Sequence, residues 1–298
     1  MKGKILGKDR SWKLHYAALN HAAIQGEEIA SIFEFVKPPV DPFAIMDAER
    51  ELICYDGDDF GDCFDGRIRF VGPRFLICFN TRFNAWPHKG QNHTKILFAI
   101  AHELGHFFLP KHRDYLVRSR QSHGSFSEFT SDPLVEQQAD FFASGLLMPK
   151  YLLGPEVNSS NFVTLDRFHR VRNSFEVSLT GLLVRWTQLS DFPCATIAIK
   201  NGKIQFGWTS AALRTRGAFR IRRGDSVSCR AAKDFLEADP SLTRYREGSG
   251  SGSIRNWIDF DDYRLQTEEH YFAIPHSGTV WILVVADEND FQDSEFED

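Results

Sequence analysis

TKILFAIAHELGHFFLP, residues 94–110, is the stretch on which the reading of this chain turns. Ile96, Leu97, Phe98, Ile100, Phe107 and Phe108 make a strongly apolar helix that runs from about Thr94 to Leu109. It stops before Pro110, because the residue preceding a proline is pushed out of the helical region. Inside it lies His102-Glu103-Leu104-Gly105-His106. Residues i and i+4 share a helical face, so both imidazoles can reach one metal ion. Glu103 stands beside that face, where a carboxylate can take a proton from water at the metal. Zinc held by two His and one further protein ligand, with a position left open, lowers the pKa of its water to about 7. The competing reading is a core helix with two incidental histidines. It would leave two imidazoles and a carboxylate needing partners in apolar surroundings.

A third ligand has two candidates. His112 falls at the spacing HExxHxxxxxH, which needs a tight turn where this chain has Leu109 and Pro110 instead of a permissive glycine. His112 is therefore expected at the surface beside Lys111 and Arg113. The better candidate is Glu136, in EQQADFFA at 136–143. That helix has a good start signal in Asp132 as N-cap and Pro133 at its first position, and it continues to about Met148. Asp140 lies one turn beyond Glu136 on the same face, where it can accept the free N–H of a liganding His and fix its tautomer. An exposed acidic face is the alternative.

Outward from this centre the pattern is mixed. Residues 12–36 read as a helix, 52–80 as short strands of which RFLICFN (74–80) is the clearest, 113–130 as a polar loop, and 161–190 as two further helices. After Pro193 the character changes. CATIAIKNGK (194–203) is a strand entering an Asn-Gly turn, the strongest short hairpin signal. Strands follow at 204–209, 218–223, 269–275 and 279–286, with a helix near 226–237, and GSGSGS (248–253) reads as a mobile loop. The expected organisation is α+β: a first domain over 1–190 including the helical segment 161–190, a second over 191–290, and an acidic tail at 291–298.

Composition adds bounds. Twenty-seven Phe in 298 residues supply a core without a disulfide framework, and five Cys without any CxxC pair argue against a Cys-rich zinc site. The longest apolar run, Val280 to Ala286, is far short of a membrane span. No apolar stretch follows the basic N-terminus as a secretory signal requires. A cytoplasmic protein with reduced thiols is the expectation. The net charge of −5 comes from seven acids in the last twelve residues, and the body without them carries +2, so a phosphate-binding face is compatible with it.

HELGH at 102–106, the Glu-x-x-Ala-Asp-x-Phe-Ala helix from 136, and LLMP at 146–149 resemble the ImmA/IrrE family of zinc metallopeptidases, over roughly residues 15–190. The resemblance implies His102, His106 and Glu136 as zinc ligands and Glu103 as the catalytic residue. It implies a gluzincin-like core, an active-site strand at 75–80 and a helical extension at 161–190. The implied activity is cleavage of a helix-turn-helix transcriptional repressor, which releases a stress or antiphage operon. The chain also resembles the branch with an appended GAF/PAS-like α/β sensor domain, which includes IrrE-type DNA-damage regulators and the CapP peptidases associated with CBASS antiphage systems. For that type, activation by single-stranded DNA is implied.

Several residues outside the motif are candidates. Leu76, Cys78 and Asn80 share a face of their strand. A Cys78 thiolate turned inward could occupy the open metal position as a switch, with Cys63 a second candidate and a plain buried thiol the alternative. Tyr115, His123 and His169 are candidates for oxyanion stabilisation. Arg214, Arg216, Arg220, Arg222, Arg223 and Arg230 face a single acid, Asp225, in 214–230. With Trp208 and Tyr245 as stacking partners, such a strand could bind single-stranded nucleic acid, or it could be a solvated face paired with the acidic tail. Two other function classes compete: a DNA-binding regulator with a helix-turn-helix at 161–190 and a structural metal, and a toxin- or antitoxin-like component acting by binding alone.

Overall fold

The structure is a computed structural model that describes residues 2–84, 92–119, 123–125, 134–160, 162–218, 220–260 and 265–286, with 2–13 and 123–125 described in their backbone only. Two compact units emerge, residues 1–153 with 171–181, and residues 154–170 with 182–298. The helical segment 161–190, expected to belong wholly to the first domain, contributes to both units.

In the first unit, α1 (Lys2–Ile32) ends sooner than the residue pattern suggests. Glu34 takes a left-handed conformation (φ 57°), and the amides of Glu34 and Phe35 bond back to Ser31 and Ala30. That pair of bonds closes a helix C-terminus. Asp41 caps α2 (Pro42–Ala48) by accepting from the Phe43 amide at 2.9 Å. β1 (Ile53–Asp58), β2 (Gly66–Val71) and β3 (Arg74–Asn80) follow, then α3 (Thr94–Phe108), α4 (Pro110–Ser119), β4 (His123–Ser125) and α5 (Leu134–Leu147). One expectation needs amending. Residues 113–119 belong to a helix, because Pro110 starts α4 where its missing N–H costs nothing. The capping signal at Asp132 and Pro133 lies outside the described residues.

The sheet order is β1-β3-β2-β4, with β1 parallel to β3 and the other pairs antiparallel. Phe75, Ile77 and Phe79 of β3 and Gly66 and Ile68 of β2 are buried on one face. α3 packs there, with Phe75 and Phe107 edge to face at 5.2 Å between ring centres. α5 covers the opposite side of α3 and α1 covers α5, so nearly every residue of α3 is buried. The helices approach closely because glycines meet backbone. A Cβ at Gly145 would run into the Ala23 carbonyl, one at Gly26 into the Phe142 carbonyl, and one at Gly105 would lie 3.2 Å from the Ala139 Cα. Gly145→Ala is therefore expected to destabilise the protein by about 2–3 kcal/mol, overpacking outweighing the helix-propensity gain of up to about 1 kcal/mol. A denaturation midpoint at or above wild type would contradict this account of the α1–α5 contact.

α6 (Lys150–Val157), α7 (Leu165–Phe175) and α8 (Leu179–Leu189) lead into the second unit's sheet. β5 (Cys194–Lys200) and β6 (Lys203–Thr209) form the expected hairpin, with Asn201 and Gly202 both at positive φ, 52° and 69°. Then come α9 (Ala211–Thr215), α10 (Arg230–Glu237), β7 (Arg246–Ser253), β8 (Gln266–Ile274) and β9 (Thr279–Ala286), in an antiparallel sheet of order β6-β5-β9-β8-β7.

GSGSGS is thus not a loop but most of an edge strand paired with β8 along its whole length. Each glycine is there because something fills its side-chain space: Phe235 against Gly248, Ala231 and the Tyr271 hydroxyl against Gly250, and the Glu269 carboxylate against Gly252. The basic segment is not the expected strand. Residues 220–225 bond in turn to Asp259, Trp257 and Ile204, with one isolated bridge at Ile221, and Gly224 (φ 90°) bends the chain. No helix among the described residues is long and apolar enough to cross a membrane.

Candidate metal centre

α3 and α5 cross where Gly105 and Ala139 leave room, which brings the first turn of α5 beside the HELGH turn. The Nε2 atoms of His102 and His106 are 3.1 Å apart. Glu136 reaches both, with Oε2 3.5 Å from His102 Nε2 and Oε1 3.7 Å from His106 Nε2. These three form the group among the described residues whose ligand atoms converge as a metal ion requires, all within 4.8 Å of one another.

The remaining ring nitrogens are held from behind. His102 Nδ1 lies 2.9 Å from Asp140 Oδ1, with both side chains buried. His106 Nδ1 lies 3.1 Å from Nδ1 of His112, whose Nε2 is 3.3 Å from Gln138 Oε1. An imidazole that gives its Nδ1 hydrogen to an outer partner carries a lone pair on Nε2. Two such lone pairs 3.1 Å apart beside a carboxylate repel unless a cation stands among them. The donors therefore fit a metal ion. Burial pushes the His102 pKa down, but the Asp140 and Glu136 carboxylates outweigh it and lift it to about 10.

His112 overturns an expectation. It is not at the surface but only 6% exposed. No glycine is needed for the reversal, since Leu109 is extended (φ −70°, ψ 116°) and Pro110 opens a new helix at once. His112 is thereby delivered to the far nitrogen of His106 rather than to the metal position. The signal that could have found it was Pro110, read as the start of a helix rather than only as the end of one.

Glu103 is fully buried on the same helix. β2 makes room for it: a Cβ on Gly66 would sit 2.7 Å from Glu103 Oε1. The buried Asp65, one residue earlier, pairs with Lys95 at 3.0 Å and ties β2 to the first turn of α3.

Other anticipated residues lie elsewhere. Cys78 does not face the group. Its cross-strand neighbours are Asp56 and Arg67, on the face of β3 opposite to Phe75 and Ile77, and α3 packs on the face that carries those two. Burial and Asp56 raise its thiol pKa. Cys63 is exposed and also outside the group. Asn80 spends its side chain on the preceding loop, donating to the carbonyls of Gly61 and Phe64 at 2.8 Å each. Strand 75–80 is interior to its sheet, whose edge strands are β1 and β4. Tyr115 is exposed on α4, and the His123 side chain lies outside the described residues. His169, in the second unit, is paired with Glu247 at 2.6 Å.

Of the arginines, Arg214 and Arg216 turn back onto the carbonyls of Thr209 and Ala212. Arg220 and Arg222 approach Asp259 at 3.6 and 3.9 Å, Arg222 also approaches Asp225 at 3.7 Å, and Arg223 is exposed.

Residues 88–187, which include His102, Glu103, His106 and Glu136, match the family described as Peptidase_M78, IrrE N-terminal-like domain. No curated protein matches the chain in sequence. Among solved structures the chain is similar to a Mycobacterium tuberculosis transcriptional regulator, at 11% identity over 91% of this chain and 90% of that one, with a TM-score of 0.55. That likeness is one of fold.

Proposed function

We propose that this protein is a zinc-dependent regulatory endopeptidase that cleaves a helix-turn-helix transcriptional repressor and so releases a stress or antiphage operon. The observation that carries the reading is the convergence of His102, His106 and Glu136, with the buried Glu103 on the same helix. Two imidazoles and one carboxylate are a donor set suited to zinc. A zinc ion bound there would supply Lewis acidity toward a scissile carbonyl and acidify water. Glu103 takes the proton of the attacking water and passes it to the leaving amine. Gly66 keeps that carboxylate in place by leaving it space, and Asp140 and His112 orient the two imidazoles. The family match supports peptidase chemistry, and the fold shared with a transcriptional regulator supports a role in gene control. A DNA-bound substrate places the protein in the cytoplasm.

The second unit, a five-stranded antiparallel sheet with α10 packed against β7, supports the reading of a GAF-like sensor, as in the CapP-like branch. Its proposed signal is single-stranded DNA, met by Arg220, Arg222 and Arg223. Because Asp259 and Asp225 already share two of these arginines, binding of a labelled oligonucleotide is expected to be weak and to fall steeply with salt. No binding at low salt would remove this signal.

The test of the function is incubation of the zinc-loaded protein with a small helix-turn-helix repressor, one encoded beside its gene being the first choice if the genome holds one, with mass spectrometry of the products. A single cut that a chelator abolishes is expected. Tight metal binding and tight duplex binding without a cut would favour a DNA-binding regulator with a structural metal instead.

A further inference from the structure

His112 has no place in the ligand set, yet both of its ring nitrogens are engaged at the centre, one toward His106 and one toward Gln138. We infer that His112 is a positioning residue, which holds His106 in the tautomer that turns its Nε2 lone pair toward the metal, with Gln138 fixing the tautomer of His112 in turn. The inference rests on the reading of His102, His106 and Glu136 as metal ligands.

The hydrogen-bond polarity along the chain leaves one consistent assignment. A ligand that binds through Nε2 carries its hydrogen on Nδ1. His106 Nδ1 faces His112 Nδ1 at 3.1 Å, so His112 accepts there and carries its own hydrogen on Nε2. That nitrogen faces an acceptor, the Gln138 carbonyl oxygen, at 3.3 Å. The reverse polarity would put a hydrogen on His106 Nε2, between the ring and the ion. α5 thus supplies a ligand (Glu136) and both outer anchors (Gln138 and Asp140) within little more than one turn.

The direct partners of His102 and His106 differ in charge. Asp140 is a carboxylate, whereas His112 is a neutral ring. Glu103, Glu136 and Asp140 already set three carboxylates around the site, and a fourth behind His106 would further neutralise a divalent ion and blunt its Lewis acidity. A neutral acceptor orients His106 without that cost.

The experiment is zinc affinity, measured on the full chain by competition with a chromophoric chelator, alongside thermal unfolding of the metal-free proteins. His112→Asn offers an acceptor oxygen close to the position of the ring Nδ1, and His112→Leu keeps bulk without an acceptor. We expect His112→Leu to weaken zinc binding about 10–100-fold and His112→Asn to stay within about threefold of wild type. Equal affinity of His112→Leu and wild type would overturn the inference, as would equal weakening by Asn and Leu, which would mean that ring volume alone matters. Should His112→Leu fail to fold, Gln138→Leu at a half-buried position carries the test. A severalfold loss is expected there, and unchanged affinity would refute the role. Wild-type protein that binds no zinc at all would sink the metal-centre reading itself, and this inference with it.

Discussion

Glu103→Gln protein is expected to bind zinc as wild type does and to lose cleavage activity by on the order of 10³-fold. Glutamine has the shape of glutamate, so the space left by Gly66 against this side chain still fits it. Glu103 is not among the three converging ligands, so metal content should hold. What the amide cannot do is take a proton from water and give it to the departing amine. Single-turnover cleavage of the repressor, normalised to bound zinc, reads the effect directly. Retained turnover would remove Glu103 from the mechanism. Loss of metal along with activity would mean that it acts as a ligand instead.

The second large effect is expected at Glu136. Glu136→Gln should reduce zinc affinity by at least about 100-fold, beyond the 10–100-fold typical of an outer hydrogen-bond partner. A neutral amide oxygen replaces the anionic ligand, and the two imidazoles are left without a third donor. Asp140→Asn, by contrast, removes only the charged anchor of His102 and should fall within the 10–100-fold range. Gln has the shape of Glu at this position in the first turn of α5, so circular dichroism should be unchanged while zinc content after dialysis drops. Full zinc retention by Glu136→Gln would leave the site without its third ligand.

The centre was legible because its signals are local. A run of apolar residues interrupted by HELGH specifies both a buried helix and two imidazoles one turn apart, and the structure gives that helix over Thr94–Phe108. The Glu136 and Asp140 pairing rests on the same periodicity one helix later. The Asn201-Gly202 hairpin is likewise set by two residues able to take positive φ.

What escaped was set by distant partners. Six alternating glycines and serines look flexible in isolation, yet β7 needs its glycines because Phe235, Tyr271 and Glu269 occupy their side-chain space, and nothing local announces those neighbours. The alternation of β3 correctly groups Leu76 with Cys78, but not which face meets α3. Phe75, Ile77 and Phe79, the more apolar set, claim it, which turns Cys78 away. The arginines of 214–223 were countable in the sequence, whereas their acidic partner Asp259 lies some forty residues on.

The whole account depends on one divalent ion seated among three side chains. Crystals of the zinc-loaded protein, with diffraction recorded on both sides of the zinc absorption edge, test that most directly. A single anomalous peak is predicted, with the Nε2 atoms of His102 and His106 and an oxygen of Glu136 at about 2.0–2.2 Å from it. A peak held by other residues, or none in protein shown to be folded and supplied with zinc, would contradict it.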